Sequence, residues 1–302
     1  MSGHYPRIRV ETASGYTRVR EGLSLTFYLP PRHPEFAEDV LSALEIYLRY
    51  TGPNALGLYA DAEGDWQDLN EAGWGLIRRK VKEGESPLVS LEEGSTTGTR
   101  YAFYYKGKDE GFLTRMNAPD AMSEAIFWLP TEYLEQHGPV RVRELAIELA
   151  TLLPVRSGFC GLSFNGDLDL AGMPRKLLPY WKRYPGIDIP HSSLYSWNIG
   201  KRLRGPYWVN FIGQPVLGAL GGASGLRERL KSPGTTVEEL PGDKAVITLG
   251  PWPEAGDLER GEVLPAYREL ARVLEPWLYY QEGGMLHQSQ EETRRWERRF
   301  LD

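Results

Sequence analysis

Residues 180–222 read YWKRYPGIDIPHSSLYSWNIGKRLRGPYWVNFIGQPVLGALGG, and this stretch holds the densest set of demanding residues in the chain. Tyr180, Trp181, Tyr184, Tyr195, Trp197, Tyr207, Trp208 and Phe211 are interleaved with prolines, glycines and basic side chains. Large rings either fill a core or anchor an interface, proline fixes φ, and glycine permits close backbone approach. The segment therefore reads as a scaffold to which the remaining elements are fitted.

Upstream of it, residues 7–12 (RIRVET) and 23–29 (LSLTFYL) are short β-rich runs that suit an antiparallel pair, the second stopped by Pro30-Pro31. Residues 34–50 repeat apolar side chains at helical spacing after Pro34, which predicts an amphipathic helix. Residues 55–60 predict a strand, 66–81 a helix weakened by Gly73 and Gly75, and 87–92 with 99–105 a hairpin. A strand at 122–129 is followed by a short helix at 131–137, a long one at 140–153 and a buried strand at 158–164. The helix expected over 171–184 carries Pro179 in its interior, where a kink or break is expected. Downstream, 225–230 predicts a helix, 235–240 and 244–249 two strands joined at PGD, and 263–279 the last core helix. Trp296 and Phe300, four apart, let the terminal helix dock on one side. The order of these elements predicts an α+β protein, mainly antiparallel sheets with helices packed on them, in two intimately joined lobes over residues 1–153 and 154–302. The segments 25–50 and 246–280 share a strand, proline break and helix pattern that suggests an internal duplication.

The 302 residues carry 35 Lys and Arg against 41 Asp and Glu, but the charge is uneven. Residues 1–150 hold 16 basic and 23 acidic residues, a net of −7, whereas 151–302 hold 19 and 18, a net of +1. The sharpest acidic run is Asp61, Glu63, Asp65, Asp68 and Glu71, with no basic residue among them. Such a face repels phosphate and attracts a basic partner. The same residues also suit a solvated loop and a helix N-terminus. The one cysteine, Cys160, excludes an intrachain disulfide and lies in an apolar run, which points to a reducing, cytoplasmic setting. No run approaches the length needed to cross a bilayer, so no membrane partner is expected.

Motifs for metalloproteases, P-loops, nucleophile elbows, CxxC sites, EF-hands and dinucleotide folds are all missing. The histidines show no paired metal spacing, so neither a metal nor a cofactor is expected. An enzyme reading would use Ser163 and His191 with an aspartate. A nucleic-acid reading would expose Trp181, Trp197 and Trp208 beside Arg156, Arg175, Lys176, Lys182, Arg183, Lys201, Arg202 and Arg204, to stack and clamp a single strand. The acidic balance of the chain weighs against direct nucleic-acid binding.

The ordered run RYPGIDIPH, WNIG and GPYWVNFIGQPVLGALGG, with GLSFNGDL before it and PAYRELARVLEPWL after it, resembles the DUF3396 family, described as type VI immunity proteins for VRR-Nuc nuclease toxins. The similarity spans about half the chain. It implies a cytoplasmic antitoxin that binds and blocks a cognate nuclease delivered between cells, with no catalysis and no cofactor. Within the run, Tyr184, Pro185, Gly186, Asp188, Trp197, Gly200, Trp208, Phe211, Gly213, Gly221 and Gly222 are expected to define the fold, leaving Asp61, Glu63, Asp65, Asp68 and Glu71 as the toxin-binding candidates.

Overall fold

The computed structural model describes residues 3–190, 192–284 and 288–302, with the side chains of 192–194 outside that description. The chain opens with β1 (Arg9–Glu11) and β2 (Thr17–Leu29), then α1 (Ala37–Thr51). A small hairpin, β3 (Leu58–Ala60) and β4 (Trp66–Asp68), leads into α2 (Glu71–Glu83). Next come β5 (Leu88–Glu92), β6 (Ala102–Lys106), α3 (Glu110–Met116), β7 (Ser123–Pro130) and α4 (Thr131–Leu152). β8 (Ser157–Gly166), α5 (Met173–Arg183), α6 (Ser192–Asn198) and β9 (Val209–Ile212) follow. The chain continues through α7 (Val216–Ala219), α8 (Gly222–Arg229), β10 (Thr235–Leu240), β11 (Lys244–Leu249), α9 (Pro265–Leu274) and α10 (Gln290–Glu297).

The architecture is α+β, and its strands form one antiparallel sheet rather than several. The order is β10-β11-β9-β8-β2-β7-β6-β5-β3-β4, with β1 added to the start of β2. β2 is the axis: its 13 residues pair with β8 on one side and β7 on the other, joining sequence from both halves of the chain. Alternation divides its side chains. Leu23, Leu25, Phe27 and Leu29 face the apolar layer made with Val40, Leu44 and Tyr47 of α1 and Val142, Leu145 and Leu149 of α4. Ser24, Thr26 and Tyr28 face the other way, where Asp188, Arg204 and Tyr207 lie against the sheet and Tyr207 stacks on Phe159 of β8 at 3.7 Å between centroids.

Several expectations are corrected. Residues 66–68 are a strand, and the helix starts only at Glu71, because Asn70 caps it by accepting a hydrogen bond from the Gly73 N–H. α5 runs without a break through Pro179. α4 carries the turn between its two predicted parts at Gly138, where φ is +78°. α3, β9 and the short α6 and α7 were not foreseen; β9 is only four residues, and its sheet position depends on long-range pairing with β8 and β11. The duplication idea finds no support in topology: β2 lies at the centre of the sheet, whereas β11 lies one strand from its end.

Candidate interaction surface at the sheet edge

Two regions hold the residues singled out from sequence, and the structure treats them in opposite ways. Most rings of the scaffold stretch are interior, although Tyr180 is 39% exposed and Trp197 and Tyr184 are half-buried. Trp208 is 1% exposed and its indole N–H donates to the Gly250 carbonyl at 3.0 Å. Asp188 pairs with Arg204 at 2.8 Å and accepts from the Tyr207 hydroxyl at 3.1 Å, while Arg204 lies over the Tyr195 ring at 3.7 Å. Burial alone would lower the Arg204 pKa, but Asp188 and the surrounding tyrosines outweigh it and hold the guanidinium charged. Gly186 passes so close to the Glu254 carbonyl that no Cβ fits, and a Cβ at Gly213 would stand 2.5 Å from the Val155 carbonyl oxygen. Pro185 accepts from Arg299, Phe211 meets Phe27 at 5.6 Å, and the Gly200 N–H donates to the Asp120 carbonyl. Tyr184 is half-buried and packs against the core; Gly221 and Gly222 both take positive φ where α7 turns into α8.

Beside this scaffold lies a buried polar group that sequence reading missed. Glu124 of β7 is 1% exposed, and burial pushes its carboxyl up to about 7 despite Lys106, Lys108 and Arg204. Lys108 is equally enclosed, donates to the Met122 carbonyl at 2.6 Å and sits 5.0 Å from the Trp197 ring centre. Alternation alone placed Glu124 opposite Tyr28 across the ladder, a signal too common in strands to stand out.

Among the described residues, neither rival chemistry gains a site. Ser163 is fully buried, and its hydroxyl is taken by the Asn165 side chain. Asp188, which neighbours Ser163 across a β-bridge, is committed to Arg204. His191 lies outside the described residues. Burial pushes the Cys160 thiol up, away from the thiolate a nucleophile needs. Trp181 and Trp208 are buried and Trp197 is partly covered by Phe112 and Lys108, so these rings offer no stacking platform. No group of three or more metal-ligating side chains occurs among the described residues, and no described helix is long and apolar enough to cross a membrane.

The acidic run lies at one end of the sheet: Asp61, which is half-buried, and the exposed Glu63 and Asp65 are in the β3–β4 turn, Asp68 ends β4, the last strand, and Glu71 begins α2. Asp61 closes the β3–β4 turn: Oδ1 accepts from the backbone N–H groups of Glu63 and Asp65, and Oδ2 from the Gln67 amide at 2.8 Å. The Gln67 hydrogen bond, with the backbone donors, lowers the Asp61 pKa. Glu71 opens α2, where the helix dipole favours a carboxylate. Glu63, Asp65 and Asp68 have no such local employment, and none of the five carboxylates forms an ion pair among the described residues. Every residue of β4 is exposed, and among them Trp66 presents 44% of its surface. The Trp66 ring is thus exposed among carboxylates that form no ion pair among the described residues.

No curated protein matches the chain in sequence. Its fold is similar to that of a solved structure described as Pseudomonas aeruginosa T6SS protein PA0821, with a TM-score of 0.81, 19% identity, and coverage of 97% of this chain and 87% of that one. At that identity the likeness speaks to the fold. The family model described as type VI immunity for VRR-NUC matches residues 39–300, which takes in the edge hairpin, the whole scaffold stretch and α10. The chain belongs to this family, TsiV, of type VI immunity proteins for VRR-NUC.

Proposed function

We propose that the chain neutralises a VRR-NUC nuclease by stoichiometric binding, without catalysis of its own, and that the β3–β4 edge meets the toxin. The observation that carries the surface is the set Glu63, Asp65 and Asp68: exposed, without counter-charge among the described residues, and mounted on a hairpin whose shape Asp61 maintains. A nuclease must present cations to the DNA backbone, so carboxylates at this edge offer it a phosphate-like face and speed the encounter. The buried single cysteine is compatible with action in the cytoplasm, where such a toxin finds its substrate. The chain does not need to bind nucleic acid itself.

The structure refines the variant that tests this. Asp61 stays, since its loss would loosen the turn, and Glu63→Gln, Asp65→Asn and Asp68→Asn are combined. The expected result is association with the cognate nuclease slowed by about tenfold at low salt, the difference shrinking above roughly 0.5 M salt as screening takes over. Association unchanged by the triple substitution at every salt concentration removes this edge from the reading. DNA-cleavage titrations should reach full inhibition at a fixed molar ratio, and inhibition at strongly substoichiometric amounts would indicate a catalytic mode.

A further inference from the structure

The main chain of β4 is as distinctive as its charges. In the hairpin the Asp61 N–H donates to the Asp65 carbonyl at 2.9 Å and the Leu69 N–H to the Gly57 carbonyl at 2.8 Å. Antiparallel ladders alternate bonded and non-bonded pairs, so Tyr59 and Gln67, two residues from each, form the bonded pair between them. Trp66 and Asp68 then turn their backbone groups away from β3. The Asp68 carbonyl accepts from the Asn70 N–H at 2.9 Å. The N–H and C=O of Trp66 and the N–H of Asp68 point outward at the end of the sheet, with no strand beyond them among the described residues.

The opposite end of the sheet is guarded. Arg227, from α8, donates to the Val237 carbonyl on β10 at 3.0 Å and approaches Glu239 at 3.4 Å. Exposed edges invite another strand, and proteins blunt them with cover or charge. At β4 the blunting is one-signed. A second copy of this chain brought edge to edge would set Glu63, Asp65 and Asp68 against themselves, so the edge rejects self-pairing. A strand carrying Lys or Arg meets no such repulsion, and alternation would place one row of its side chains against Trp66 and Asp68 and the other against Gln67.

The geometry points to strand addition: an extended basic segment of the nuclease pairs with β4 through the backbone of Trp66 and Asp68, with the carboxylates selecting its charge and the Trp66 ring covering its cationic side chains. This rests on the reading that the β3–β4 edge meets the toxin and adds how it does so.

The test is hydrogen exchange of the full chain, alone and in complex with its cognate VRR-NUC nuclease. Amides of Trp66 and Asp68 should exchange rapidly in the free chain and at least tenfold more slowly in the complex. Asp68→Pro, which deletes the outward N–H, should weaken binding at least tenfold, and Asp68→Asn, which keeps it, by clearly less. Retained protection of the Gln67 and Leu69 amides in free Asp68→Pro verifies that the hairpin survives; if it does not, exchange in the native complex decides. Unchanged exchange at Trp66 and Asp68, with association still sensitive to the triple carboxylate substitution, overturns strand addition and leaves the acidic face standing. Insensitivity of both overturns the two readings together.

Discussion

At the scale of single residues, the interior is set by steric exclusion and by buried charge. Gly186→Ala forces a Cβ into the Glu254 carbonyl, a backbone contact that cannot swing aside, and should lower unfolding stability by about 2–4 kcal/mol. Gly205→Ala, with nothing within 4 Å of the new methyl, should stay within about 0.5–1 kcal/mol of the native chain. Urea unfolding of the two variants checks both values, and equal losses would contradict the steric account. Arg204→Met leaves the Asp188 carboxylate buried without its cation and should cost about 3–5 kcal/mol, part of which Asp188→Asn in the same chain restores. Glu124 supplies a pH dependence. Its folded pKa of about 7, raised by burial, keeps it protonated where the unfolded chain has already ionised. Its contribution to stability therefore declines as pH rises from the ordinary carboxylate range to about 7, then levels off. Glu124→Gln should flatten that decline in urea midpoints measured from pH 5 to 8, and an unchanged slope would assign it to other groups.

Among the elements, the hairpin and the terminal helix show how local and distant forces divide the work. The β3–β4 turn is held by Asp61 alone among its carboxylates, so Asp61→Asn should speed amide exchange at Glu63 and Asp65 while leaving the melting temperature within a few degrees. A large drop in melting temperature would mean that the hairpin carries global stability. α10 has little apolar content of its own, yet it places Trp296 edge-to-face against Trp181 at 5.4 Å, and Phe300 follows onto Tyr267. Arg299 covers the Trp296 ring at 3.8 Å. Trp296→Ala should cost about 3–5 kcal/mol, read by chemical denaturation, despite its place near the end of the chain.

For the molecule as a whole, a sheet of eleven strands with its axis at β2 couples the two halves of the chain. Replacement of Phe27, which faces Phe127 on one side and Phe211 on the other, should unfold both halves in one transition. Separate transitions for probes at Trp128 and Trp208 would show instead that the lobes unfold independently. The same sheet keeps its acidic edge far along the strand order from β9 and β11, so scaffold substitutions that leave the fold intact should leave toxin association unchanged.

The sequence by itself determined the class of elements, because alternation and helical spacing are local: the strand pair at 235–240 and 244–249 is present, and the helix expected over 34–50 is present as α1, starting at Ala37 after a separate 3-10 turn that holds Pro34. It also singled out the aromatic stretch, since rings, prolines and glycines at that density serve few purposes. Where local signals compete, it went astray. At Trp66 the apolar spacing suggested a helix, but pairing with Ala60 made a strand and the Asn70 cap delayed α2. Only the tertiary structure decided that the strands close into a single sheet, that Glu124 and Lys108 are enclosed beneath the scaffold, and that β4 is its open end. Those outcomes depend on contacts between residues distant along the chain. The five acids illustrate the difference: their charge was legible at once, but which of them holds the turn, opens the helix or remains unengaged is decided by the folded edge.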